Sequence, residues 1–252
     1  MTGQRTAGII PARYASTRLP GKPLSMIAGK PMIQRVYENC VRASVLDSVC
    51  VATDDARIAE AVRDFGGTAV MTRADHPSGT DRVAEAARGL DAAIIVNIQG
   101  DQPFIDPAMI EEAVRPMLEN PALEIATLMY RIANEADLHD PGVVKVVVDH
   151  SGRALYFSRS LIPFPREKIV HGVFEHVGTY VYRAATLQRL TQLAPTTLER
   201  VECLEQLRWL EHGLRIHVAE SRIDAMEFSG FSVDTPEDLQ RAERMLRERG
   251  LD

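Results

Sequence analysis

Three cations stand on one short stretch of this chain, Arg13, Arg18 and Lys22, in the run Pro11-Ala12-Arg13-Tyr14-Ala15-Ser16-Thr17-Arg18-Leu19-Pro20-Gly21-Lys22-Pro23. Arginine offers a planar fork of donors and lysine a compact point charge. Arg13 and Lys22, converging from either end of a loop rich in backbone N–H groups, suit a triphosphate. The loop contains neither G-x-G-x-x-G nor G-x-x-x-x-G-K-[ST], so it is neither a dinucleotide fingerprint nor a P-loop. A solvated basic loop stiffened by prolines is the plainer reading of the same spacing.

A second group is Gln99-Gly100-Asp101-Gln102-Pro103, directly behind the apolar run Ala93–Ile98. One carboxylate on a glycine-assisted turn, beside a phosphate loop, suits Mg²⁺, which takes one or two carboxylates and completes its shell with substrate oxygens and water. Asp234 is the natural second carboxylate, although an Asp just ahead of Thr235-Pro236 equally suits a helix cap. Asp106, before Pro107, reads as the cap of the following helix. The third group, Arg73-Ala74-Asp75-His76-Pro77-Ser78-Gly79-Thr80-Asp81-Arg82, sets small hydroxyl residues around a glycine, where main chain can approach a nucleobase edge. Ser78 or Thr80 capping a helix is equally compatible. His76 shows no partner in the sequence and reads as a loop residue.

Farther along, Arg159 in Phe157-Ser158-Arg159, His176, and the Glu202, Glu205 and Gln206 face offer groups for an anionic acceptor. Glu202 and Glu205, three apart on one expected helix, read as a solvated face. His171 and His176, five apart on an extended segment, point to opposite faces and share no metal. The absence of G-x-S-x-G and of H-E-x-x-H removes the serine-hydrolase and zinc-protease readings.

The elements that must carry these groups alternate short apolar runs with helical periodicity, the mark of β-α-β units in a doubly wound, mainly parallel sheet. Strands are expected at Ala7–Pro11, Ser48–Thr53, Thr68–Met71 and Ala93–Ile98. Helices are expected from Pro31 through Cys40, from Asp54-Asp55 to Phe65, and over Asp81–Arg88. After about Asn120 the rhythm changes. Val143–Val148 and Ala154–Phe157 flank the turn Asp149-His150-Ser151-Gly152 and predict an antiparallel hairpin, as in an insertion. A strand at Val177–Tyr182, helices at Ala184–Leu193 and Val201–His212, and a strand at Arg215–Ala219 follow. Thr235 as N-cap, Pro236 and Asp238 start the last helix. The whole of 1–252 reads as one domain, with 1–120 and 213–252 as its core and 121–212 as the inserted region.

Composition fits this picture. The 252 residues are 45% hydrophobic and 25% charged, enough for a sizeable core, and a net charge of -6 without basic-aromatic runs argues against a nucleic-acid partner. No apolar run approaches the roughly 20 residues of a membrane span. Cys40, Cys50 and Cys203 form no C-x-x-C pair and read as buried, reduced thiols in a cytoplasmic protein.

Taken in order, IIPARYASTRLPGKPL, MTRADHPSGTDR, VNIQGDQP, KVVVD with ALYFSR and IPF, HVGTYVYR, LEQLR and VDTPEDL resemble the 3-deoxy-manno-octulosonate (Kdo) cytidylyltransferases, a nucleotidyltransferase family, over nearly the whole chain. The resemblance implies transfer of CMP from CTP to the anomeric hydroxyl of a sugar acid, with release of pyrophosphate, Mg²⁺ as cofactor and a homodimer. It implies a nucleotidyltransferase fold whose antiparallel insertion serves acceptor binding and dimerisation. Arg13, Lys22 and Asp101 would then be catalytic, and Asp101 and Asp234 would hold the metal. Pro11, Ala12, Arg13 and Lys22 would meet the nucleotide together with Arg73, Ser78, Gly79, Thr80 and Gln99. Arg18, Gln102, Arg159, His176, Glu205 and Gln206 would face the acceptor. Gln102 stands where the family's motif usually has Glu, and Ser232 where it usually has Gly. The same chemistry on another small anion, such as phosphonoformate, and a non-catalytic nucleotide-binding regulator are the alternatives.

Overall fold

The computed structural model describes residues 4–15, 19–167, 172–223, 228 and 230–251. The chain divides into two compact units, one of Met1–Glu111 with Ile223–Asp252 and the other of Glu112–Arg222. The sequence expectation set the divisions at 120 and 213.

In the first unit, strand β1 (Thr6–Ala12) is followed by a 3-10 turn at Lys22–Leu24 and by a small antiparallel pair, β2 (Met26–Ile27) and β3 (Lys30–Pro31). Helix α1 (Met32–Val41), strand β4 (Ser48–Thr53), helix α2 (Ala56–Asp64), strand β5 (Ala69–Met71), helix α3 (Gly79–Ala87) and strand β6 (Ile94–Asn97) complete the alternation. The four larger strands lie in the order β6-β1-β4-β5 and are parallel throughout, with Ile9 opposite Cys50 on one side and Asn97 on the other. The expected parallel sheet is therefore present. Its central strands are apolar on both faces, and Ile9, Ile10, Val51, Ile95 and Val96 are wholly buried. Each such side chain contributes about 1.5–3 kcal/mol by leaving water. Helix α1 buries Met32, Ile33, Val36 and Cys40 at helical spacing.

Helix α4 (Pro107–Glu119) opens at Asp106, whose carboxylate accepts the Ala108 N–H at 2.8 Å, as the sequence led one to expect. The second unit then carries β7 (Ile125–Arg131), β8 (Lys145–Val148), β9 (Ala154–Ser158), β10 (Phe174–Arg183), helices α5 (Ala184–Leu190), α6 (Thr197–Glu202) and α7 (Glu205–Glu211), and β11 (Ile216–Glu220). Here β11 runs parallel to β7, while β10 is antiparallel to both β7 and β8, and β8 to β9. The hairpin around Asp149–Gly152 forms as expected, and Trp209 packs edge-on against Tyr180 and Tyr182 in the core of this unit.

Three expectations need correction. Strand β7 was not foreseen, because IATLMYR is buried almost continuously and shows neither alternation nor helical spacing. The helix expected over Val201–His212 is two helices, broken where Cys203 takes a left-handed conformation at φ 52° and Leu204 turns into the core. Cys40 and Cys50 are buried, but Cys203, at that break, is exposed.

The first unit closes with helix α8 (Pro236–Glu248), capped by Thr235 and Asp238 in a reciprocal box. Its buried Ala242 and Leu246 join Ile27, Met32, Phe104, Phe231 and Val233 in one cluster. Among the described residues no helix is long and apolar enough to cross a membrane.

Candidate active site

At the carboxyl ends of the parallel strands, where open α/β sheets hold ligands, the first unit has a cavity of about 350 Å³. Pro11 and Ala12 end β1 at its rim, and Arg13, exposed, continues from them. Lys22 is placed by the turn before it. Gly21 adopts φ 69° and donates its N–H to the Tyr14 carbonyl at 3.0 Å, and a Cβ there would stand 3.1 Å from the Tyr14 ring. Glycine is the residue that accepts both conditions.

The two predicted metal carboxylates meet at Lys22. Its Nζ donates to Asp101 Oδ2 at 2.8 Å and to Asp234 Oδ1 at 3.0 Å. Each carboxylate has a local cause. Gly100 lets the loop after β6 come down on β1, since a Cβ there would lie 2.9 Å from the Pro11 carbonyl oxygen. The Val233 N–H donates to the Asp101 carbonyl at 2.9 Å, which sets Asp234 beside Asp101. The capping role that competed for Asp234 is filled by Thr235, leaving the Asp234 carboxylate to reach Lys22.

This donor set fits Mg²⁺. Two carboxylates already converge on one cationic centre, the lysine ammonium, and no group of three or more His, Cys, Asp or Glu side chains able to hold a metal forms among the described residues. A hard cation that completes its shell with substrate oxygens and water requires no more from the protein. Asp101 and Asp234 are the residues that would hold it.

The remaining wall is the loop before α3. Ser78 has both roles the sequence left open: it lines the cavity, and its Oγ caps α3 by accepting the Asp81 N–H at 3.2 Å. Gly79 and Gln99 also line the cavity. Thr80 is buried within α3 and Arg73 is exposed, 3.3 Å from Asp75, so neither is part of the lining. Gln102 is buried, and its side-chain carbonyl oxygen meets no donor among the described residues. Arg18 and His171 lie outside the described residues.

Two lining residues were missed or underread. Arg82 is buried and ties three segments together, with Nη1 2.7 Å from Thr72 Oγ1 and 3.0 Å from Asp54 Oδ1. His76, read from the sequence as partnerless, is hydrogen-bonded to Glu85 and faces the cavity. Their partners lie on separate segments and follow no spacing rule, so only the Arg at the end of PSGTDR carried a signal.

The second unit gathers most of the acceptor candidates around α6 and α7. Arg159 follows β9; its Nε donates to the Glu202 carbonyl at 2.8 Å and its Nη1 to the Pro141 carbonyl at 2.8 Å. Glu202, read from the sequence as part of a solvated face, instead accepts from Ser158 Oγ at 2.6 Å and from the Arg159 N–H at 2.9 Å. Glu205 opens α7, and Gln206 beside it is buried. Strand β10 is irregular between Val177 and Tyr180, and His176 sits just before that irregularity. Its Nε2 is 3.1 Å from Thr127 Oγ1, and its ring packs against Phe157 and Tyr180 at centroid distances of 5.0 and 5.2 Å. Burial pushes its pKa down to about 3, which keeps the imidazole neutral.

The comparisons with known proteins agree with this chemistry. The family described as cytidylyltransferase matches residues 7–216. The chain is 52% identical over 251 residues to the 3-deoxy-manno-octulosonate cytidylyltransferase of Trichlorobacter lovleyi, covering 95% of this chain and 98% of that one. It is 53% identical to the protein of the same name from Pelobacter propionicus, covering 95% and 96%. Among solved structures, a CMP:2-keto-3-deoxy-manno-octonic acid synthetase complexed with CTP superposes with a TM-score of 0.92 at 44% identity, over 97% of this chain and 99% of that one. A 4-diphosphocytidyl-2C-methyl-D-erythritol synthase from Anaerococcus prevotii, 12% identical with a TM-score of 0.64, shares the fold over 97% of each chain.

Proposed function

The chain belongs to the cytidylyltransferase family, and from that premise we propose that it transfers CMP from CTP to Kdo, releasing pyrophosphate and forming CMP-Kdo for lipopolysaccharide assembly. The observation that carries this reading is the cavity of the first unit, where Arg13, Lys22, Asp101 and Asp234 stand beside Ser78, Gly79 and Gln99. Relatives named for this activity cover nearly the whole chain, and none supports a phosphonate acceptor.

The anomeric hydroxyl oxygen of the acceptor bonds to the α-phosphorus of CTP while the bond to the pyrophosphate oxygen breaks. Arg13 and Lys22 neutralise the triphosphate oxygens as charge shifts toward the leaving group. The main chain around Ser78 and Gly79, with the Gln99 side chain, receives the base and ribose. Asp101 and Asp234 would hold Mg²⁺, which when bound would neutralise phosphoryl charge and lower the pKa of the acceptor hydroxyl so that its proton passes to solvent water. Arg159 pairs with the acceptor carboxylate, and the neutral His176 offers a hydrogen bond without adding charge. Glu205 and Gln206 take the sugar hydroxyls.

The enzyme works in the cytoplasm as a homodimer. Leu155 and Val201, 60% and 75% exposed, are apolar side chains of the second unit that a second copy would cover. The reading is tested by pyrophosphate release with CTP and Mg²⁺ against Kdo, 8-amino-Kdo, phosphonoformate and no acceptor. Release with Kdo supports it. Release with phosphonoformate alone would replace the acceptor, and silence with all would overturn the reading.

A further inference from the structure

Lys145 is a buried cation with no part in the mechanism above. It opens β8 and is completely buried. An ammonium taken out of water costs several kcal/mol unless its protons are all accepted. Here they are: Nζ donates to the carbonyl oxygens of Asp140 at 2.7 Å, Val143 at 2.8 Å and Arg159 at 3.3 Å. Burial nevertheless pushes its pKa down, while Asp140, Glu175 and Asp137 favour the charged form. An apolar residue in its place would leave three main-chain carbonyls without this donor, so the question is what those carbonyls carry.

The three carbonyls share one feature, which is Arg159. Lys145 holds Asp140 and Val143, on either side of Pro141, and the Pro141 carbonyl accepts from Arg159 Nη1 at 2.8 Å. The third bond holds the carbonyl of Arg159 itself. The same segment also supports His176, whose N–H donates to the Val144 carbonyl at 2.8 Å, and Glu175 stands opposite Lys145 in the strand register. One buried amine thus fixes the main chain of Arg159, the turn that orients its guanidinium, and the segment to which His176 is bonded.

We propose that Lys145 is a positioning residue for acceptor recognition, holding the Asp140–Val143 turn and the Arg159 main chain so that the Arg159 guanidinium is set to pair with the acceptor carboxylate. This rests on the acceptor role given above to Arg159. A lysine that served only the fold would lower stability when replaced and leave the balance between the two substrates unchanged.

The test is steady-state kinetics and a thermal melt on the full-length chain with Lys145→Met. Wild-type release of pyrophosphate with Kdo comes first, because its absence would sink the functional reading and not this inference alone. With wild type active, the expected result is a rise in KM for Kdo of about tenfold, the size of one misaligned charge-assisted hydrogen bond, with KM for CTP unchanged. In an Arg159→Ala background the same substitution should add less than about twofold, since coupled residues are not additive. An equal rise in both KM values, no rise for Kdo, or full additivity with Arg159→Ala would each overturn the proposal. If Lys145→Met does not fold, Lys145→Arg carries the same comparison: it keeps the charge but loses the single-point amine, and the same outcomes decide.

Discussion

The charged groups proposed to meet the two substrates are held in different ways in the two units. In the first unit Lys22, Asp101 and Asp234 hold one another, side chain to side chain, at a cavity wall. In the second unit the cations Arg159 and Lys145 are held by backbone carbonyls, and Glu202 accepts a backbone N–H. Partners that are themselves side chains can be exchanged when a charged ligand arrives. Partners that are main chain cannot leave without moving the fold. The first arrangement suits a site that must rearrange around a metal and a triphosphate, the second a site that must present a fixed face to a sugar acid.

The sharpest way to break the contrast is Asp101→Asn. It removes one carboxylate from an exchangeable set, so turnover should fall by about a thousandfold or more, while the partly exposed pair contributes under about 1 kcal/mol to stability. Near-normal turnover would remove Asp101 from the metal assignment, and a collapsed melt would show that the first unit is as rigidly wired as the second. Arg159→Ala should behave differently. The KM for Kdo should rise roughly tenfold to a hundredfold with KM for CTP unchanged, and stability should also drop by about 1–3 kcal/mol, because carbonyls of Glu202 and Pro141 lose their donor. A loss of activity with an unaltered melting temperature would contradict the main-chain account.

The same contrast explains what could be read from the sequence. In the first unit the chemistry sits on loops that follow parallel strands, and the order of strand, loop and helix is written in the apolar periodicity. Arg13, Lys22, Ser78, Gly79, Gln99, Asp101 and Asp234 were all placed from motif and topology, and all line one cavity. What escaped were Arg82 and the His76–Glu85 bond, which depend on segments brought together only by folding. In the second unit the groups proposed for the acceptor are embedded among backbone partners. Strand β7 is buried along nearly all its length, and beside the break at Cys203 Glu202 accepts from Ser158 and Arg159, contacts 44 and 43 residues away. Lys145 stood inside a recognisable KVVVD run, yet nothing in its spacing signalled a buried amine with three carbonyl partners.

Acid sharpens the comparison further, since the histidine that burial perturbs most belongs to the second unit. His176 titrates near 3 in the folded chain because of burial, against about 6.5 when unfolded. Below 6.5 the unfolded state takes up a proton that the folded state refuses, so stability is lost as pH falls from 6.5 toward 3. The loss attributable to this one group reaches at most about 2 kcal/mol by pH 5. The difference in unfolding free energy between wild type and His176→Asn, followed from pH 7 to pH 5, should shift in favour of the variant by that order. A pH-independent difference would mean that the imidazole accepts its proton while folded.

The smallest effect concerns the thiols. Burial pushes Cys50 up to about 11 and Cys40 higher still, so neither supplies thiolate at neutral pH. Cys203 is exposed at the break between α6 and α7, and its carbonyl lies 3.5 Å from Arg159 Nη2. A thiol reagent should therefore modify one cysteine of the native protein and all three after denaturation. Because the modified residue adjoins Arg159, the residue proposed to pair with the acceptor, a bulky adduct should raise KM for Kdo by a few-fold and leave KM for CTP alone, a change of about 1 kcal/mol or less. Equal effects on both substrates would show that a disturbance at Cys203 reaches the first unit, and the division of labour between exchangeable and main-chain-bound charges would have to be redrawn.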